Sequence, residues 1–110
     1  MIAKRPSIFI YCFQPEIEML KEICAGIEEE GIFFEFFQYE EKGAELLAYE
    51  AAKQGMLGFG IGISRKRIAF SFRGLKKGEV IEIYEYPNKE QCRKVGSNSA
   101  RAVKRMPLRM

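Results

Sequence analysis

The sequence predicts an α/β sandwich, one mixed sheet of five strands with helices on both faces. Three observations carry this. Five short runs rich in β-branched and aromatic residues are spread over the 110 residues, at 7–13, 32–39, 56–63, 67–72 and 80–86. The first three are separated by stretches with apolar residues at helical spacing, long enough for the crossovers that parallel strands require. The third and fourth are separated only by Ser-Arg-Lys at 64–66, a hairpin length that reverses the chain. The order β-α-β-α-β-β-β-α therefore makes strands one to three parallel through right-handed crossovers and turns strand four round.

The first run, SIFIYCF, is almost continuously apolar, as in a strand buried on both faces. Pro15 suits a first helical turn, and Glu16 and Glu18 suit its positive end. Ile17, Leu20, Cys24 and Ile27 recur at helical spacing with Ile23 beside them, and Gly31 is a natural stop, so the first helix spans about 15–30. IFFEFFQY is the second strand. In EKGAELLAYEAAKQG, Leu46, Leu47, Tyr49 and Ala52 give a second helix that stops at Gly55. MLGFGIGI and RIAFSF form the hairpin pair, and VIEIYEY is a fifth strand closed by Pro87. A last helix is expected to be seeded around Gly96–Ser97–Asn98, where Ser and Asn are good caps, and to run to Pro107.

The length fits a single domain, residues 1–110, and a composition of 47% hydrophobic and 30% charged residues is that of an ordinary globular chain. The opening MIAKRPSIFIYCF is basic and then apolar, but its apolar run is short and lacks a small-residue cleavage site; it reads as a strand, not a signal peptide. No run is long enough for a membrane span. Cys12, Cys24 and Cys92 are odd in number and widely spaced, which suggests neither a disulfide framework nor a zinc site and fits a reducing cytoplasm. Histidine is absent, which excludes Ser-His and Cys-His nucleophiles and histidine metal sites within the chain.

Three motifs invite a functional reading. GFGIG places Gly58, Gly60 and Gly62 at period two, but the glycines stay in a strand and do not turn into a helix as a phosphate fingerprint requires. Close packing of a helix or of a second stretch of backbone on that bare face is the better reading. The basic residues at 65–67, 76–77, 93–94 and 101–109 lack interleaved aromatics, and with a net charge of only +3 they read as solvated surface. The third motif is GIEEEG. Glu28, Glu29 and Glu30 crowd the C-terminal end of the first helix, where the dipole is negative and a cation is the favoured neighbour. No lysine or arginine lies one turn before them. On the helix, Glu28 and Glu30 flank the apolar stripe and Glu29 points away from it. A divalent cation would relieve the repulsion, and carboxylate oxygen suits Mg2+ or Ca2+, with the remaining ligands drawn from water or another chain.

GIEEEGI after the first helix, LGFGIGI in the third strand and GSNSARAVKRMPLR at the C-terminus resemble the small subunit of the diol and glycerol dehydratase reactivating factors. That family is similar in fold to the medium (β) subunit of the coenzyme B12-dependent dehydratases. The resemblance implies a three-layer α/β/α sandwich whose five-stranded sheet has the order 2-1-3-4-5, with strand four antiparallel. It also implies a non-catalytic, chaperone-like role. The small subunit pairs with a large ATPase subunit, and the complex exchanges subunits with inactivated dehydratase so that damaged cobalamin can leave. By the motif, Glu29 reaches a Mg2+ shared at the subunit interface, with Glu28 and Glu30 beside it in partner binding, and the small subunit itself holds no cobalamin. A cytoplasmic location, in association with a bacterial microcompartment, is expected. The chain departs from the family pattern at CFQPE after the first strand and at Phe33, where the family commonly has proline. Two other readings are a medium subunit of the dehydratase itself and an RNA-binding module of anticodon-binding-like topology.

Overall fold

The computed structural model describes residues 6–105. In chain order the elements are β1 (Ser7–Phe13), α1 (Ile17–Glu29), β2 (Phe33–Gln38), α2 (Ala44–Gln54), β3 (Phe59–Ser64), β4 (Arg67–Phe72), β5 (Glu82–Glu85) and α3 (Lys89–Val103). The sheet order is β2-β1-β3-β4-β5. β1 lies parallel to both β2 and β3, and β4 runs antiparallel to β3 and β5.

The alternation of side chains along each strand divides the core in two. Ile8, Ile10, Cys12, Ile61, Ile63, Ile68 and Phe70 face α1 and α3, meeting Ile23 and Ile27 of one helix and Cys92 and Val95 of the other. Tyr11 and Ala69 face the opposite way, toward Leu47, Ala51, Ala44 and Ala48 of α2. At about 1.5–3 kcal/mol for each fully buried Ile or Leu side chain, the α1–α3 face carries the larger share of the burial.

α2 lies very close to the sheet, and the glycines of β3 make room for it. A Cβ on Gly60 would sit 2.2 Å from the Ala52 nitrogen, and one on Gly62 would sit 2.1 Å from the Ala44 oxygen. The close-packed helix expected from GFGIG is present, with one difference. Gly58 precedes the strand in a turn at φ +76°, so β3 begins at Phe59 and not at residue 56.

The largest departure from the sequence reading is α3. It begins at Lys89, seven residues before Gly96, where the helix was expected to be seeded. Asn88 is the cap: its side chain accepts from the Gln91 N–H at 2.7 Å, and the Asn88 N–H donates to Gln91 Oε1 at 3.0 Å. This reciprocal box satisfies two of the donors that a helix start leaves open. Gly96, Ser97 and Asn98 are buried mid-helix residues. Gly96 of α3 and Gly26 of α1 let the two helices meet, since a Cβ on Gly96 would lie 2.0 Å from the Ile23 oxygen and one on Gly26 would lie 2.3 Å from the Arg93 oxygen. The expected stop at Pro107 lies outside the described residues. α1 is also shorter than the 15–30 expected, because Pro15 precedes the cap residue, Glu16. Asn88→Ala should lower stability by about 1 kcal/mol, while Asn88→Ser should recover most of it; a urea midpoint checks both.

Candidate functional site

The end of α1 is closed by the backbone before any side chain acts. Gly31 adopts φ +76°, its N–H donates to the Glu28 oxygen at 2.9 Å, and the Ile32 N–H reaches back to the Ile27 oxygen at 3.4 Å. This double bond pattern caps the last carbonyls and fixes the direction in which the three glutamates leave the helix.

Each glutamate then has a different fate. Glu30 is drawn inward. Its carboxylate accepts from Lys104 Nζ at 2.9 Å, Arg101 Nε at 3.1 Å and Ser97 Oγ at 3.1 Å, and Lys104 also donates to the Glu30 carbonyl at 2.8 Å. Only 14% of the side chain is exposed. The Lys104 contact leads the causes that lower its carboxyl from 4.5 to about 2, against a smaller opposing push from burial. Glu29 is 55% exposed and pairs through Oε1 with Nη1 of Arg93. Glu28 is exposed beside a shallow apolar hollow formed with Gly31, Ile32, Phe33 and Phe34.

The positive charge that the helix end calls for thus comes from α3 of the same domain. This corrects two expectations. The cluster is not left repulsive, because Arg93, Arg101 and Lys104 cross from α3 to compensate it. Nor are those three cations plain solvated surface. With α3 starting at Lys89, positions 93, 97, 101 and 104 fall within about 80° of one another, one stripe facing α1. That periodicity was the available signal, and the misplaced helix start hid it.

Other basic residues are also paired. Arg65 meets Glu41 at 3.6 Å, Lys66 meets Glu16 at 3.7 Å, and Arg67 meets Glu45 at 2.7 Å and also reaches Glu85. Such self-neutralised pairs leave little of the continuous positive stripe that a nucleic-acid backbone selects. The three thiols are free, and burial pushes them up, Cys12 to about 12 and Cys24 and Cys92 to about 11, far from a reactive thiolate at neutral pH.

Among the described residues no three His, Cys, Asp or Glu side chains converge as a metal-holding group. A dication at this helix end could therefore take only part of its shell from the chain. Glu29 fits that part. It is a hard oxygen donor, exposed, and it already holds a cationic guanidinium through one oxygen. Glu30, with its carboxylate shared among three side-chain donors, does not.

A family model described as dehydratase medium subunit matches residues 5–109. The propanediol dehydratase-reactivating factor small subunit of Citrobacter freundii is 30% identical over 105 residues, covering 94% of this chain and 90% of that protein. The diol dehydratase-reactivating factor small subunit of Klebsiella michiganensis is 29% identical over 105 residues, covering 94% of this chain and 84% of its own length. Among solved structures, a glycerol dehydratase reactivase superposes with a TM-score of 0.90 at 26% identity, over 96% of this chain and 97% of that one. A diol dehydratase-reactivating factor complexed with ADP and Mg2+ gives 0.90 at 27% identity, over 97% and 100%. Over residues 5–109 the chain belongs to the dehydratase medium-subunit family, and over nearly all of its length it is similar to the small subunits of propanediol and diol dehydratase-reactivating factors.

Proposed function

We propose that this chain is the non-catalytic small subunit of a reactivating factor for a coenzyme B12-dependent diol or glycerol dehydratase. The observation that carries the reading is its likeness to a reactivating-factor small subunit over 94% of this chain and 90% of that protein. In this role it pairs with a large subunit that holds the ATPase chemistry, and the pair works in the cytoplasm in association with a microcompartment. A domain of the dehydratase medium-subunit fold can present one docking face to two partners in turn. Exchange between reactivase and dehydratase then becomes competition for that face, and separation of the dehydratase subunits lets damaged cobalamin out. The chain itself binds no cobalamin.

In this reading the docking face is the end of α1. Glu30 holds that end against α3, while Glu28 and Glu29, the latter paired with Arg93, are exposed to meet the partner. Glu29 would be this chain's ligand to a Mg2+ shared with the large subunit, and the metal would supply positive charge at the helix end. This chain's part is to hold one carboxylate, Glu29, on a helix end whose direction the Gly31 turn fixes.

Glu29→Gln tests this by titration of the large ATPase subunit with the chain, with Mg2+ and with EDTA. Association should weaken by about tenfold, and Mg2+ should rescue the variant less than the wild type. The isolated variant should lose a little thermal stability, since Arg93 gives up one partner; a gain would have followed had the carboxylate been unpaired. If Glu29→Gln and Glu28→Gln bind like the wild type and EDTA changes nothing, the metal reading fails.

A further inference from the structure

Arg93 holds two glutamates at once. Its Nε donates to Glu22 Oε2 at 3.0 Å and its Nη2 lies 2.8 Å from the same oxygen, while Nη1 reaches Glu29 Oε1. Glu22 and Glu29 lie two turns apart on the same side of α1, and the planar fork of one guanidinium spans them. The two carboxylates are unequal. Glu22 is 23% exposed against 55% for Glu29, and two of the three guanidinium nitrogens lie against it. If Glu29 lets go, Arg93 keeps its charge partner. Glu30 has no such freedom, since release there would disturb Ser97, Arg101 and Lys104 together.

On the reading that Glu29 meets a dication at the subunit interface, we propose that Arg93 is an internal counter-ion that occupies Glu29 in the free chain and yields it to the metal on docking. The two cations compete for the same carboxylate. Arginine cannot deprotonate to clear the site, so exchange has to be displacement. One exposed contact is weak enough to be displaced. It is still strong enough to disfavour free Mg2+, which sheds water reluctantly and would gain a single protein ligand. Capture of the metal is thereby made to depend on the partner's ligands arriving with it. Retention of Glu22 keeps α1 and α3 together through the exchange.

Mn2+ serves as the probe, titrated into the isolated full chain and read by the electron paramagnetic resonance signal of the free ion. Arg93→Gln should bind Mn2+ about two- to fivefold more tightly than the wild type. The gain should vanish when Arg93→Gln is made in a Glu29→Gln background. Arg93→Lys keeps the charge without the fork and should fall between; it also serves if the glutamine variant folds poorly. Equal Mn2+ affinity in the wild type and both Arg93 variants would overturn the proposal. So would a gain that survives in the Glu29→Gln background, since Arg93 would then act only through net charge. Titration with the large ATPase subunit separates the two readings. Association that is indifferent to EDTA and to Glu29→Gln removes the interfacial metal. Association sensitive to both, with Mn2+ affinity unchanged by Arg93→Gln, removes only the role of Arg93.

Discussion

Gly62→Ala should destabilise the domain by about 3 kcal/mol, with Gly60→Ala close behind. The new methyl has nowhere to go. At Gly62 it would stand 2.1 Å from the Ala44 oxygen and 2.4 Å from the Ala48 nitrogen; at Gly60 it would stand 2.2 Å from the Ala52 nitrogen. These are backbone atoms of α2, so no rotamer change relieves the overlap and the whole helix must lift from β3. Lifting it also opens the small contacts of Ala44, Ala48 and Ala51, which are fully buried on that face. The α1–α3 face lies on the other side of the sheet and does not share the strain. Hydrogen exchange should therefore show α2 amides losing protection well before those of α1 and α3, and a urea titration should give the shifted midpoint. A loss below about 1 kcal/mol would mean that α2 is free to slide outward and that the bare glycine face is not a packing requirement.

That bare face was legible because glycine at every second position of an apolar run leaves few physical options. The strands and the first two helices were legible as elements because their periodicities are local, but the buried face of α1 was not: Ile17 is exposed, and Met19, Ile23, Gly26 and Ile27 face inward. What stayed hidden was the dependence of one segment on another far along the chain. Gly96, Ser97 and Asn98 have poor helix propensity, and taken locally they mark a boundary. In the fold they are mid-helix: the Ile23 backbone of α1 approaches Gly96 too closely for any side chain there, and propensity yields to that contact. The start of α3 could have been found from Asn88 and Gln91, a capping pair at the right spacing just after Pro87. The GIEEEG cluster shows the same limit more sharply. Its geometry at a helix end could be seen in the sequence, as could its need for positive charge. The source of that charge could not, because Arg93, Arg101 and Lys104 lie more than 60 residues away. Helix geometry separated Glu29 from Glu28 and Glu30 in the sequence, but it put Glu28 and Glu30 alike. The approach of α3 makes Glu30 a structural brace, leaves Glu29 with one exposed ion pair and leaves Glu28 at the edge of an apolar hollow.

The difference among the glutamates has a measurable consequence at low pH. Glu30→Gln should cost about 2 kcal/mol near neutrality, since it replaces a charge-assisted hub by a neutral amide facing Lys104 and Arg101. The carboxylate is largely enclosed, at 14% exposure, so solvent screening reduces this only modestly. Its ionisation is lowered from 4.5 to about 2 in the folded chain, first of all by Lys104. A lowered folded value means stabilisation that is complete above about pH 4.5 and is lost as pH falls through the range down to about 2. Wild-type stability should thus fall along this limb, while Glu30→Gln, having nothing to protonate there, should fall less steeply. The gap between the two in urea midpoint should be wide near pH 7 and narrower at about pH 3. Glu29→Gln, altering an exposed contact, should track the wild type through the whole range. If the Glu30→Gln gap were equally wide at both pH values, the loss would come from shape or packing around Ser97 and not from charge. A gap that closes as the carboxyl is protonated would identify the Glu30 charge as what holds the end of α1 against α3, and so what sets the direction in which Glu28 and Glu29 face a partner.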